Sequence, residues 1–169
     1  MKKISGFTLM EMLITVALIS IVMAIAIPSM TTFNQNDRLT TNINTLIGHL
    51  AYARSEAVKR SQQVSICVSN DGATCTGGNN WEDGWMIYID ADGSNTFDAA
   101  EEVLRAQQTL TSNQTLTPTT FASQVTYDYR GFATSTGSFQ LCDNRTGPHG
   151  KTISISNTGR VRLQDGSTC

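Results

Sequence analysis

The residues between positions 90 and 101 have side chains and spacing that could bind a calcium ion. Oxygen-bearing side chains occupy positions 1, 3, 5, 7, 9 and 12 of this twelve-residue run, as in an EF-hand loop: Asp90, Asp92, Ser94, Thr96, Asp98 and Glu101. However, Asn95 stands where an EF-hand has glycine, and both flanks have the pattern of strands. We therefore favour a polar loop without a metal. A calcium site formed by Asp90, Asp92, Ser94, Asp98 and Glu101 is the alternative.

Two arginines near the C-terminus, Arg160 and Arg162, form a second group that could bind a ligand. Residues two apart in a strand share a face and lie about 6.6 Å from each other. Residues 157–159 predict a hairpin turn before them, with Val161 and Leu163 facing the core. The planar guanidinium group suits phosphate because it donates two parallel hydrogen bonds. The pair therefore fits the backbone of DNA, without reading of bases.

The basic character of this region extends beyond the two arginines. Lys151, Arg145 and Arg130 could widen the basic surface, whereas residues 71–102 contain eight acidic residues and no Lys or Arg. The net charge of the whole chain is only −2, so the uneven distribution is more informative than the total. From spacing alone, solvent-facing arginines or ion pairs with Asp143 or Asp165 are the plainer interpretation.

The sequence offers little for catalysis. It has no P-loop, no GxSxG motif and no His/Cys set with metal spacing, and its only histidines are His49 and His149. We expect no enzymatic activity and no cofactor, with His49 a structural residue on a helix.

The four cysteines indicate disulfide bonds. Their number is even and none forms a CxxC pair, which favours disulfides and an oxidising compartment over a metal site. Three pairings are possible. We predict that each cysteine joins its neighbour in sequence, giving Cys67–Cys75 and Cys142–Cys169.

The N-terminal region predicts a membrane-spanning helix. The 21 residues from Phe7 to Ile27 include one charged residue, Glu11, and as a helix they would extend about 32 Å, enough to cross a bilayer. A secretory signal peptide is the alternative, but no clear small-x-small cleavage site follows the apolar run, and Glu11 would be unexplained. A carboxylate in such a segment usually has a function.

An amphipathic helix follows. Between Arg38 and Arg60 the apolar residues recur at intervals of three and four, which places them on one face: Leu39, Ile43, Leu46, Ile47, Leu50, Ala53, Ala57 and Val58. We predict one helix from about Phe7 to Arg60, with a weak point at Pro28.

The remainder predicts short strands separated by turns, and hence an α+β architecture with one sheet or two small ones. The predicted strands are Val64–Ser69, Gly84–Asp90, Val103–Gln107, Val125–Tyr129, Ser138–Asp143, Lys151–Ser156 and Arg160–Gln164. The segment from Thr109 to Thr120 is rich in Thr, Ser, Asn and Gln and predicts a loop.

The segment Gly6–Glu11 resembles the motif of type IV prepilins. The resemblance implies the type IV pilin fold, a long N-terminal helix packed on a small antiparallel β-domain. It also implies that a prepilin peptidase cuts after Gly6, that the new amine of Phe7 is methylated, and that Glu11 acts in assembly. The implied parts are a leader (1–6), a transmembrane and assembly helix (7–28), an amphipathic half (29–60) and a periplasmic β-domain (61–169).

The resemblance narrows to the GspH/FimT group of minor pilins and pseudopilins, through Trp81–Trp85, Gly137–Cys142 and Gly159–Leu163. FimT-type minor pilins carry a Gly-Arg-x-Arg motif that contacts DNA, and Gly159, Arg160 and Arg162 match it. The resemblance therefore implies a minor pilin that binds DNA for uptake in natural transformation. The alternative is a structural subunit of a motility pilus or a type II secretion pseudopilus.

The same resemblance implies partners and location. The expected partners are other pilin subunits, the prepilin peptidase, DNA and the inner membrane. The subunit would reside in the inner membrane of a Gram-negative bacterium before assembly, and afterwards in a pilus that crosses the periplasm to the cell surface.

Overall fold

The structure, a computed structural model, describes residues 6–110, 113–120 and 123–169, so the predicted leader apart from Gly6 lies outside the described residues. A single α-helix, α1, runs from Leu9 to Arg60 and continues through Pro28. The carbonyl oxygen of Pro28 accepts hydrogen bonds from the hydroxyls of Thr31 and Thr32, at 2.8 and 3.3 Å. The predicted long helix is therefore confirmed, with Pro28 inside it.

The chain forms two compact units, Met1–Asp37 and Arg38–Cys169. In the described part of the first unit no residue is buried, and the apolar side chains from Phe7 onward are exposed. Its helical segment is long and apolar enough to cross a membrane. So much exposed apolar surface is typical of a segment that lipid or another protein covers.

The second unit contains eight strands in two antiparallel sheets, which confirms the predicted α+β class. One sheet has the order β3-β2-β1-β5 and the other β4-β6-β7-β8. The strands are β1 (Gln63–Val68), β2 (Gly84–Asp90), β3 (Val103–Gln108), β4 (Thr115–Pro118), β5 (Gln124–Tyr127), β6 (Gly137–Cys142), β7 (Gly150–Ile155) and β8 (Val161–Ser167), with a 3₁₀ turn at Trp81–Asp83.

All seven predicted strands are present, but the prediction of a loop from Thr109 to Thr120 is wrong, because this segment includes β4. In β4 the side chains of Leu116 and Pro118 are buried, and the two threonines between and before them are exposed. Such alternation suits a half-buried strand, and β-branched threonine favours strands. β4 is an edge strand, where a proline is tolerated.

The core lies between the C-terminal part of α1 and the two sheets. Six residues of the predicted apolar face are fully buried in it: Leu39, Ile43, Leu46, Leu50, Ala53 and Ala57. Val58 was predicted on this face but is 50% exposed, since it stands at the margin of the stripe. Trp81 and Trp85 are buried in the same core.

Two disulfide bonds join the pairs predicted from the sequence. Cys67 in β1 is bonded to Cys75 in the following loop. Cys142, the last residue of β6, is bonded to Cys169 at the C-terminus. The second bond closes the larger loop and holds the chain after β8, which would otherwise be free to fray.

Candidate nucleic-acid interface

The hairpin between β7 and β8 presents the arginine pair. The N–H of Gly159 donates to the carbonyl of Ser156 at 2.8 Å, and the N–H of Ser156 donates to the carbonyl of Arg160 at 3.0 Å. These bonds close the tight turn that the sequence predicts. Arg160 is the last residue of this turn, and Arg162 is the second residue of β8.

Strand pairing shows which way Arg162 faces. Arg162 lies opposite exposed Ser154, whereas Val161 lies opposite buried Ile155. Since opposed residues share a face of the sheet, Arg162 belongs to the outer face. Arg160 lies two residues earlier, just before β8, and is also exposed.

Leu163 does not fit its predicted place in the core, because 41% of its surface is exposed. It lies opposite buried Ile153 and so has the correct face. However, β8 is the edge strand of its sheet and has a neighbouring strand on one side only. A side chain on an edge strand is covered less than its partner on the inner strand.

The two arginines also differ from the other basic residues in their charge environment. Within residues 6–110, 113–120 and 123–169, neither guanidinium of Arg160 or Arg162 forms an ion pair or a hydrogen bond. In contrast, Arg130 is paired with Asp128 at 2.9 Å and Arg145 with Asp143 at 2.7 Å, and Lys151 is paired with Asp165. The arginine pair is thus the part of the predicted basic set available to an external anion.

The carboxylates of these ion pairs are held in the charged state. Burial acts to raise the pKa of Asp128, but hydrogen bonds from the backbone of Phe132 and from Arg130 outweigh it and lower the pKa overall. The same balance of burial against hydrogen bonds from Arg145 lowers the pKa of Asp143. Both carboxylates therefore neutralise their arginines at neutral pH.

The hairpin separates Lys151 from the arginine pair. Lys151 lies opposite Asp165, three positions along β8 from Arg162 and hence roughly 10 Å away. It also shares the face of buried Ile153, not that of Arg162. Arg145 belongs to the connection between β6 and β7, at the same far end of the hairpin. The structure therefore does not bring Lys151 and Arg145 to the arginine pair.

Arg130 lies closer to the turn. Its loop, residues 128–133, is bonded to the turn through the N–H of Ala133, which donates to the carbonyl of Asn157 at 3.0 Å. Arg130 and Asn157 line the same cavity of about 390 Å³. Among the three predicted supporting residues, Arg130 is the one placed beside the turn.

Gly159 is required by this packing. Its φ of +73° is a conformation that favours glycine. A Cβ at this position would lie 2.3 Å from the carbonyl oxygen of Gly131 and 2.9 Å from Nε of Arg54. Residue 159 therefore has no room for a side chain, because the turn lies directly against the 128–133 loop and α1.

The structure adds two basic residues of α1 that sequence patterns did not indicate. Arg54 and Lys59 line a groove of about 620 Å³ together with Arg160. Lys59 is 74% exposed and its contact with Glu56 is 3.3 Å long, so this surface pair is weak. From the sequence, both residues lie on the solvent face of a helix. No pattern in the neighbouring residues indicates that this face lies next to the β7–β8 turn.

The acidic loop does not form an EF-hand. Carboxylate oxygens of Asp90, Asp92 and Glu101 lie within 4.8 Å of one another, but Asp98 is not part of this group. The hydroxyl of Ser94 donates instead to the carbonyl of Thr96 at 3.1 Å. The structure thus brings three of the five predicted ligands together.

The first turn of α1 positions Glu11. The hydroxyl of Thr8 accepts a hydrogen bond from the N–H of Glu11 at 3.2 Å, which is the arrangement of a helix N-cap. Glu11 is exposed, and in the described part of the chain its carboxylate has no ion-pair partner. A carboxylate here interacts favourably with the helix dipole and remains accessible to a cation.

His49 has the structural role predicted for it. Its Nδ1 accepts a hydrogen bond from Nε1 of Trp85 at 3.0 Å. Burial and the nearby charge of Arg105 lower the pKa of His49, so it is neutral near pH 7. The lone pair of Nδ1 is occupied by this hydrogen bond, which helps to hold Trp85 in the core.

Comparisons with known proteins agree with this fold. Residues 42–159 match the family described as Type II transport protein GspH, and residues 1–27 match the family described as Prokaryotic N-terminal methylation motif. No curated protein matches the chain significantly. The first match ends at Gly159, so Arg160 and Arg162 lie just beyond it.

Two solved structures represent the similar folds. The type IV minor pilin FimU of Pseudomonas aeruginosa has 26% sequence identity and a TM-score of 0.63, over 80% of this chain and 95% of that one. The minor pseudopilin EpsH from the type 2 secretion system of Vibrio cholerae has 12% identity and a TM-score of 0.55, over 76% of this chain and 97% of that one. At 12% identity the likeness to EpsH concerns the fold alone.

Proposed function

Because the chain belongs to the GspH family of minor pilins and pseudopilins, we propose that it is incorporated into a type IV pilus and binds DNA for uptake in natural transformation. The family and the similar structures are pilus and pseudopilus subunits, not enzymes. DNA binding like that of FimT-type minor pilins is the more specific part of this proposal, and incorporation into a pilus is the more general part. It is supported by one observation, the exposed and unpaired state of Arg160 and Arg162.

The geometry of the pair suits a phosphate backbone. Residues two apart along a strand are separated by about 6.6 Å, which is close to twice the axial spacing of about 3.4 Å between charges on one DNA strand. Arg54 and Lys59 extend the basic surface across the adjoining groove. Binding by these groups is electrostatic, so it does not depend on base sequence and weakens as salt increases.

The N-terminal segment supports a role in assembly. We propose cleavage after Gly6, methylation of Phe7, insertion of the apolar helix in the inner membrane, and a periplasmic location of the β-domain before assembly. Glu11 would pair with the N-terminal amine of a neighbouring subunit, which offsets the cost of a carboxylate in an apolar environment. The parts 1–6, 7–28, 29–60 and 61–169 correspond to these roles.

A gel-shift titration tests the proposed site. Full-length protein in a non-ionic detergent is titrated against labelled duplex DNA at several salt concentrations. Removing two phosphate contacts with Arg160→Gln and Arg162→Gln should weaken binding at least tenfold and reduce the slope of log K against log salt by about 1.8. The matched control, Arg145→Gln with Lys151→Gln, removes the same charge from ion-paired residues at the far end of the hairpin.

The two variants give separable outcomes. Equal weakening by both would show that net charge, not the arginine pair, governs binding. If the Arg160/Arg162 variant binds as the wild type does, the assigned site is wrong.

A structural subunit without DNA binding is the second candidate function. It is favoured by the family match, which ends before the arginine pair, and by the fold shared with a secretion pseudopilin. Absence of DNA binding by the wild type at low salt would establish this alternative.

A further inference from the structure

Three carboxylates meet where β2 enters its loop towards β3. Asp90 is the last residue of β2, Asp92 follows two residues later, and Glu101 stands two residues before β3. One oxygen of each lies within 4.8 Å of those of the other two. Oxygens that coordinate one Ca²⁺ ion lie at most about 5 Å apart, because each is about 2.3–2.6 Å from the ion. The three groups are therefore close enough to share an ion.

The environment of Asp90 is the observation that points to a ligand. Asp90 is only 1% exposed. Its Oδ2 accepts hydrogen bonds from Nε2 of Gln63 at 2.6 Å and from the N–H of Asn95 at 3.0 Å. Its Oδ1 is buried and has no hydrogen-bond partner among the residues that the structure describes. A buried carboxylate oxygen without a partner is unfavourable, and a metal ion would satisfy it.

No side-chain cation in the described part of the chain balances these charges. Residues 71–102 include eight acidic residues and no Lys or Arg. Arg60 reaches this side of the domain, but its guanidinium is bonded to Glu56 at 2.8 Å and to Glu102 at 2.9 Å. Asp90, Asp92 and Glu101 themselves form no ion pair with any described residue. Their mutual repulsion favours a bound cation.

The loop holds two of the carboxylates in place. Oε1 of Glu101 accepts the N–H of Ala91 and Oε2 accepts the N–H of Asp98, both at 3.0 Å. Oδ1 of Asp92 accepts the N–H of Ser94 at 2.9 Å. Each oxygen keeps a second lone pair, so these bonds orient the carboxylates without blocking a metal.

We propose that Asp90, Asp92 and Glu101 bind a calcium ion. Spacing alone favours a loop without a metal, but the orphan oxygen of Asp90 and the absence of a counter-charge reverse that preference. The site uses three carboxylates instead of an EF-hand set, and the adjacent cavity of about 410 Å³ has room for water ligands. With so few protein ligands, we expect a Kd of about 10⁻⁴–10⁻³ M, as in extracellular calcium modules.

Calorimetric titration of the full-length protein in non-ionic detergent, after treatment with a chelator, tests this site. We expect one site for CaCl₂ in the wild type and affinity at least tenfold weaker in both Asp90→Asn and Glu101→Gln. Asp98→Asn is the matched control, because it removes the same charge from the same loop but from outside the group of three. Its affinity should stay within about threefold of the wild type.

Thermal unfolding provides a second readout. Calcium in excess should raise the Tm of the wild type and of Asp98→Asn, and leave that of Glu101→Gln unchanged. If Asp90→Asn fails to fold, the comparison of Glu101→Gln with the wild type is sufficient to test the site. The proposal is overturned by no heat and no Tm shift in the wild type, by unchanged binding in Glu101→Gln, or by equal stabilisation with MgCl₂.

Discussion

Arg54 donates a hydrogen bond from Nε to the carbonyl oxygen of Gly131 at 2.9 Å, across 77 residues of sequence. The same oxygen borders Gly159 of the β7–β8 turn, and Ala133 of the same loop is bonded to Asn157 of that turn. The helix, the loop and the turn are thus joined at one point. The position of the exposed arginine pair depends on this junction.

Gly159→Ala should displace the turn and weaken DNA binding, although both arginines remain. A Cβ would combine an unfavourable φ with a 2.3 Å contact, so we expect a loss of roughly 1–3 kcal/mol in the free energy of unfolding. Denaturant titration and gel shift measure the two effects.

Gly77→Ala is the control for this change, since Gly77 has the same φ of +73° but no atom within 4 Å of the added Cβ. A smaller loss in Gly77→Ala isolates the effect of close packing. If the two variants lose equal stability, contact with Gly131 is not the cause.

Arg54 should contribute to stability and to binding by different means. Arg54→Lys keeps the charge but loses Nε, and Arg54→Gln loses both. We expect each variant to lose about 1 kcal/mol of stability with the hydrogen bond to Gly131. DNA affinity should fall in both variants, because the bond that helps to position the turn is lost, and it should fall further in Arg54→Gln, which also loses the charge. Equal affinities of the two variants would show that Arg54 does not contact phosphate.

The disulfide at the C-terminus should contribute more stability than the one near β1. In the chain-entropy model, a bond across a sequence separation of 27 (Cys142 to Cys169) adds about 3.6 kcal/mol, and a bond across a separation of 8 (Cys67 to Cys75) adds about 2.5 kcal/mol. Replacing each pair by serine and measuring denaturant unfolding tests this order. A larger loss in the Cys67/Cys75 variant would contradict it.

The contribution of Asp128 to the free energy of unfolding should decrease at acidic pH. Burial raises its pKa, but bonds from Phe132 and Arg130 lower it below the ordinary value of 3.8 overall. As pH falls, the unfolded state therefore binds a proton before the folded state does. The contribution of charged Asp128 to the free energy of unfolding is complete above about pH 5, and it is lost as pH falls through the lowered pKa. The stability difference between wild type and Asp128→Asn should shrink between about pH 5 and pH 3. A difference that stays constant over this range would exclude the ion pair as its source.

Features that depend on residues close together in the chain, such as which face of a helix or strand is buried, were predictable from the sequence. The spacing of residues such as Leu39 and Ile43 predicted the buried face of α1, and strand alternation predicted the outward position of Arg162. Burial at an edge depends on neighbours distant in sequence, so the exposure of Leu163 was not predictable. The contact between Arg54 and Gly131 forms where α1, the 128–133 loop and the β7–β8 turn pack together. The repeat pattern of apolar residues does not show how segments so far apart in sequence pack.

Glu11 should be needed for assembly and not for the fold. Its side chain is exposed in the first turn of α1, and the buried core begins at Leu39. Glu11→Ala should therefore leave thermal unfolding of the β-domain unchanged and reduce incorporation into sheared pili at least tenfold, because the carboxylate that pairs with a neighbouring amine is lost. Thr15→Ala is the control, since its hydroxyl donates within the helix, to the carbonyl of Met12 at 2.8 Å. Normal incorporation of Glu11→Ala, measured by immunoblot of the pilus and membrane fractions, would rule out this role.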